Sequence, residues 1–205
     1  MVFFEYGQAE IEHLKGQDKK LGAAIDQIGL IQRGVIPDVF SALIQSVLSQ
    51  QISTKAAQTV FNRMNTLLNH DLTPQSLKSI GLDAIKGCGM SQRKAGYILG
   101  IAEASLTGVV DFTMLKTLTD AEIIKKLTAL NGVGVWTAEM LLIFSLRRPD
   151  VVSFGDLAIR RGMMNLYGLK ELPKEIFEKY RESYSPYGSV ASFYLWALSV
   201  VNSSN

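Results

Sequence analysis

The sequence predicts an all-α protein, and three observations carry the prediction. Apolar residues recur at helical spacing through most of the chain. Cap residues, proline and glycine punctuate it at intervals suited to helices. Alternating segments are scarce, and the one strand-like pair, Val151-Val152, is too short to found a sheet.

Each element follows from its own signal. Pro37-Asp38 opens a segment whose Phe40, Leu43, Ile44, Val47 and Leu48 make one apolar helical face. Ser53 caps the next helix, where Ala56, Ala57, Val60, Phe61, Met64 and Leu67 repeat the spacing. Thr73-Pro74 pairs a cap with proline at the first helical position. Ser91 caps a helix through Arg93, Lys94, Tyr97, Ile98 and Ile101. Thr119-Asp120-Ala121-Glu122 is a capping box before Ile123, Ile124 and Leu127. Further helices are expected over Val135–Arg147, Asp156–Tyr167, Pro173–Tyr184 and Ser189–Val201.

Composition narrows the class. Of 205 residues, 47% are hydrophobic and 20% charged, enough to build a core and too apolar for a disordered chain. The length suits one or two units. Lys and Arg number 21 against 19 Asp and Glu, and both halves are balanced, ten against nine over 1–105 and eleven against ten over 106–205. A nucleic-acid surface must therefore be a local patch. The single Cys88 excludes an internal disulfide, a multi-cysteine zinc site and a four-cysteine iron–sulfur cluster. Met1 to Glu5 has no secretory pattern, and the run Ala138–Leu146 contains Glu139 and falls short of the ~20 residues of a membrane span. A soluble intracellular protein is expected, with no membrane partner.

Two stretches have a helix–tight turn–helix look, one around Gly87-Cys88-Gly89 and a sharper one around Gly132-Val133-Gly134. In the second, two glycines one residue apart permit a tight turn and carry no side chain over their amides. The amides from Gly134 onward then open a helix, where the dipole favours an anion such as a DNA phosphate. A bare Gly-x-Gly turn serves equally to end one helix and start another.

Leu130-Asn131-Gly132-Val133-Gly134-Val135-Trp136-Thr137-Ala138 resembles the hairpin of the helix-hairpin-helix DNA glycosylases. Pro149 to Gly162 resembles the loop that carries that family's essential aspartate, and Asp156 lies 22 residues past Gly134, as in the family. Val47 to Ala57 is similar to its wedge loop, Gly89 to Ile98 to its Gly-x-Ser-x-x-Lys-Ala-x-Tyr-Ile segment, and Ser185 to Trp196 to its C-terminal helix. The likeness runs in order over about residues 30–200 and is nearest to the 3-methyladenine DNA glycosylase II branch.

The resemblance implies a two-lobed helical fold with a cleft between the lobes. One lobe would span 39–148 and end in the hairpin; 1–38 with 149–205 would form the other. It implies hydrolytic excision of alkylated purines from double-stranded DNA by a monomer needing no cofactor. Such an enzyme works in the cytoplasm at the nucleoid of a bacterium, or in a eukaryotic nucleus. The longer bacterial members' β-rich N-terminal domain has no counterpart in this sequence.

Residue by residue, Asp156 would be catalytic, although an aspartate at a helix start is also an ordinary N-cap. Asp150 reads as part of the loop's lead-in. Trp136 stands where strand-cleaving members place a Schiff-base lysine, which implies a monofunctional enzyme. Its indole suits a cationic base, or else packs in the core. Trp196, Tyr97 and Tyr187 are further pocket candidates with packing as the alternative. Gln51, and less so Gln50, would be the DNA wedge. Gly132, Val133, Gly134, Val135 and Thr137 would bind phosphate. The family's hairpin also holds a monovalent cation, Na or K, on main-chain carbonyls that map to Thr128, Leu130 and Val133. Lys55, Arg93, Lys94, Arg160 and Arg161 are either phosphate contacts or solvated charges. Gly188 departs from the family's usual arginine, and His13 and His70 fit no ligand spacing. The competing readings are a glycosylase for deaminated or etheno bases, a strand-cleaving relative, and a hairpin that only binds DNA.

Overall fold

The computed structural model describes residues 2–200, and among them the chain is all-α apart from one minimal strand pair. The strands are β1 (Val2–Phe3) and β2 (Gly34–Val35), antiparallel with Val2 opposite Val35. The helices are α1 (Gln8–Gln17), α2 (Lys19–Ile28), α3 (Val39–Ser49), α4 (Thr54–Leu67), α5 (Pro74–Gly87) and α6 (Gln92–Leu106). After a single turn of 3₁₀ helix at Leu115–Thr117 come α7 (Asp120–Thr128), α8 (Val135–Phe144), α9 (Leu157–Tyr167), α10 (Lys174–Tyr184) and α11 (Gly188–Leu198). None of these is long and apolar enough to cross a membrane.

The caps behave as their chemistry predicts. Asp38, Ser53, Thr73, Ser91 and Thr119 each accept a backbone N–H from the first turn of the helix that follows. At Thr73 and Thr119 the bond is reciprocated, closing capping boxes with Ser76 and Glu122. Gly81, at φ 76°, breaks α5 internally.

Helix ends and faces depart from expectation in a few places. α8 stops at Phe144 rather than Arg147, because Arg147 turns left-handed at φ 55° and the Arg148 amide donates back to Leu142 O at 2.8 Å. Arginine thus takes a left-handed turn that glycine usually takes, and Pro149 follows it. Leu67 is exposed and Leu68 buried instead, since α4 ends between them. Val151-Val152 is buried coil, with Val151 held by the Ser189 hydroxyl and its carbonyl by that of Ser192. α11 begins at Gly188 and ends at Leu198; Val201 lies outside the described residues.

The chain divides into two compact units, 36–141 and the discontinuous pair 1–35 with 142–205. In the first, α3 buries Leu43, Ile44 and Val47 completely, with Ile98 of α6 and Leu127 of α7 equally enclosed. In the second, α9 crosses α11 so closely that a Cβ at Gly162 would lie 1.9 Å from the Leu195 carbonyl oxygen. Around that crossing Phe177, Tyr184, Phe193 and Tyr194 are fully enclosed. Asp18, the N-cap of α2, accepts the Tyr167 hydroxyl, which also bonds to Tyr184, so α2, α9 and α10 are tied at one point.

Candidate active site and nucleic-acid interface

Asp156 is the N-cap of α9, with extended backbone at φ −84° and ψ 111°. Its Oδ1 accepts the amides of Ala158 and Ile159, each at 2.9 Å. The Trp196 indole N–H, forty residues on, donates to the same oxygen at 3.2 Å. Three convergent donors fix the carboxylate's orientation, and only 7% of the residue is exposed. Asp156 is therefore an N-cap in fact, while its third donor comes from a different helix and exceeds what capping requires. Trp196 stacks on Phe144 at 5.4 Å between ring centroids and near Phe193 at 6.1 Å. Its ring is thus held by packing while its polar edge serves the carboxylate.

Asp150 has a different job. It accepts the Ser185 hydroxyl at 2.6 Å and the Gly188 amide at 3.1 Å, anchoring the start of α11. Gly188 is buried, and a Cβ there would meet Asp150 Oδ1 at 2.6 Å and Val152 Cγ2 at 2.8 Å. Glycine in place of the expected arginine is therefore a packing requirement. Tyr187 is the N-cap residue of α11 and meets His13 edge-on at 5.1 Å, while His13 bonds to the Ser185 carbonyl. It lies nine residues before Trp196, about 13 Å along the helix. His70 pairs with the nearby Asn65 side chain.

The hairpin occupies unit 36–141. Gly132 has φ 86°, and a Cβ on it would fall 2.3 Å from the ring of Tyr97, so both its conformation and its contact demand glycine. The Val133 amide bonds to Leu130 O at 3.1 Å, and α8 starts with Gly134 O receiving the Ala138 amide. Gly134, Val135 and Trp136 are exposed at the start of α8. Val133 and Thr137 have buried side chains, so only their main chain can serve a phosphate. Trp136 is 43% exposed, which excludes the simple core reading. Tyr97 is half-buried, seated on the hairpin glycine.

The loop expected to carry the DNA wedge follows α3. Gln51 is exposed and left-handed at φ 57°. Gln50 points the other way: its side-chain amide donates to Gly132 O at 2.9 Å, joining the wedge loop to the hairpin. Lys94 is neither a phosphate contact nor a solvated charge. Its ammonium donates to Leu48 O at 2.8 Å and Gln50 O at 2.7 Å, and burial pushes its pKa below the ordinary lysine value. Arg160 lies over the Phe154 ring at 4.8 Å, with its Nε buried and lacking a hydrogen-bond partner among the described residues. Lys55, Arg93 and Arg161 are exposed. Sequence reasoning missed the Lys94 and Gln50 ties and the indole bond to Asp156. One signal was present: the last turn of α3 contains no basic residue and no glycine follows it, so its carbonyls needed a donor from elsewhere.

No group of three or more His, Cys, Asp or Glu side chains is placed to hold a metal among the described residues. The carbonyls of Thr128, at the end of α7, and of Leu130 and Val133 are hard neutral donors from a helix terminus, a type that suits an alkali cation.

DNA-3-methyladenine glycosylase 1 of Schizosaccharomyces pombe is 35% identical over 199 residues, covering 94% of this chain and 87% of that protein. The crystal structure of a Bacillus halodurans DNA-3-methyladenine glycosidase superposes with a TM-score of 0.88 at 35% identity, over 98% of this chain and 94% of that one. A Schizosaccharomyces pombe 3-methyladenine DNA glycosylase bound to abasic DNA gives a TM-score of 0.80 at 33% identity, over 92% and 95%. The model of the HhH-GPD superfamily of base excision DNA repair proteins matches residues 44–186, and the chain belongs to that superfamily.

Proposed function

We infer that this chain is a monofunctional DNA glycosylase that excises alkylated purines, of the 3-methyladenine and 7-methylguanine type, from double-stranded DNA. The observation that carries the reading is the Asp156 carboxylate, held by two helix amides and the Trp196 indole. An enzyme acting on a base within a duplex must first extrude it. Alkylation at N3 or N7 leaves the purine cationic, so the C1′–N bond can break with its electron pair passing to the departing base. The sugar becomes oxocarbenium-like, and a fixed carboxylate is its natural electrostatic partner. Water then adds at C1′ and gives up a proton, leaving an abasic site. Asp156 stabilises the cationic sugar and orients that water.

Trp136 in one unit and Trp196 in the other each carry an indole suited to a cationic base. Gln51 fills the gap left in the stack. The amides of Gly134, Val135 and Trp136 grip a phosphate. A sodium or potassium ion on the carbonyls of Thr128, Leu130 and Val133 would add positive charge beside that phosphate. Lysine is absent at position 136, so no Schiff base forms there and the strand stays intact. The enzyme acts as a monomer at the bacterial nucleoid or in the eukaryotic nucleus.

The test is release of free base from methylated duplex DNA, resolved by chromatography. Asp156→Asn keeps an equally good N-cap, so its fold should persist. Its turnover should fall by about 10² or more while duplex binding changes by less than about threefold. Near-normal turnover in that variant would overturn the assignment.

A further inference from the structure

Helix α6 reaches both parts of the proposed DNA-facing surface of unit 36–141. At its first turn Lys94 holds the end of α3 and the wedge loop through Leu48 O and Gln50 O. One turn later Tyr97 seats against Gly132 of the hairpin, close enough that no Cβ fits between them. Gln50 closes the circuit by donating its side-chain amide to Gly132 O. Between these anchors Gln51 sits at φ 57°, a left-handed conformation that is unfavourable for a non-glycine residue. A strained residue persists only where its neighbours hold it. The ammonium is well suited to this: it supplies charge-assisted bonds to two carbonyls at the negative end of a helix that has no cation of its own.

We propose that Lys94 is a positioning residue for base extrusion: through Gln50 it holds Gln51 in a fixed, insertion-ready conformation at a set spacing from the phosphate-gripping hairpin. This deepens the glycosylase reading and rests on it for the identity of the wedge. With the loop fixed beforehand, the ordering entropy is not charged when the duplex opens. With Lys94 removed, the hairpin still binds the strand, but Gln51 must find its conformation during each extrusion.

The experiment compares wild type with Lys94→Met, Lys94→Arg, Gln51→Ala, Gln50→Leu and the Lys94→Met/Gln51→Ala double variant. Single-turnover base release from methylated duplex is measured at saturating enzyme. Affinity is measured for intact duplex and for duplex bearing a tetrahydrofuran abasic analogue. Lys94→Met should slow release about tenfold or more and erase most preference for the abasic duplex, with intact-duplex affinity changed by less than about twofold. Lys94→Arg should recover most of the rate. In the Gln51→Ala background Lys94→Met should cost less than about twofold, because its effect passes through a side chain already gone. A merely structural lysine would lower the melting temperature and give additive losses, and additivity overturns the proposal, as does a wild-type rate in Lys94→Met. If Lys94→Met does not fold, Gln50→Leu decides: it should lose abasic preference, and retention overturns the proposal. Wild-type protein that prefers the abasic duplex yet releases no base would sink the glycosylase reading, leaving the positioning role to be judged by binding.

Discussion

Replacing Gly162 by alanine separates packing from helix propensity, because the two predict opposite signs. In an unobstructed helix interior the change is stabilising by ~0.8–1 kcal/mol. At Gly162 the new methyl would stand 1.9 Å from Leu195 O, 2.6 Å from Leu195 C and 3.0 Å from Leu195 Cα. Non-bonded carbon contacts settle near ~3.5 Å, so α9 and α11 must part by about 1.5 Å. A backbone carbonyl cannot swing aside as a side chain can, which puts the change at ~3 kcal/mol, the upper part of the overpacking range. Set against the propensity gain, the net loss is about 2 kcal/mol. For a chain of this length that lowers Tm by about 4–8 °C. Trp196 follows Leu195 directly, and its bond to Asp156 is already 3.2 Å, so base release should fall as well. Thermal melts by circular dichroism, with Gly96→Ala as control, give the answer. Gly96 lies within α6, and a Cβ added there would meet nothing within 4 Å, so the substitution should raise Tm. A Gly162→Ala protein as stable as wild type would refute the close-crossing account.

Two further outcomes follow from the same kind of geometry. Gly132→Ala incurs the left-handed penalty of ~1–2 kcal/mol and displaces the Tyr97 ring, so intact-duplex affinity measured by fluorescence anisotropy should weaken about tenfold. Cys88 is 5% exposed, and burial raises its thiol pKa despite the nearby Arg63 guanidinium. Less thiolate is therefore present at pH 8 than in a free cysteine, and Ellman's reagent should react at least ~10-fold faster once the protein is unfolded.

What was legible in the sequence is what short spacing encodes. The hairpin announces itself because Gly132 and Gly134 bracket one residue, and five N-caps follow from side chains three residues from their amides. The Asp156 loop was visible by register with the hairpin. Contacts between distant segments were not. Lys94 acts on backbone carbonyls 44 and 46 residues away, and a carbonyl has no sequence signature. The Trp196–Asp156 bond joins residues forty apart, so Trp196 read only as an aromatic on an apolar helix. The β1–β2 pair has two residues per strand, too few for alternation to register. The early end of α8 depends on Arg147 adopting a conformation that arginine seldom takes.

The division of the chain also sets an order of assembly during synthesis. Everything within 36–141 neighbours its own contiguous stretch, so those helices meet their partners as they leave the ribosome. Residues 1–35 emerge before that stretch but complete their unit only with 142–205. At ~5–20 residues per second the wait for the intervening stretch lasts about 5–20 s. Through that interval α2 lacks its packing against α9 and α11, and Asp18 lacks the Tyr167 hydroxyl that later secures it. Residues 1–35 are therefore the segment most in need of chaperone shelter, and a ribosome stalled before residue 142 would leave an adhesive stub rather than a finished lobe.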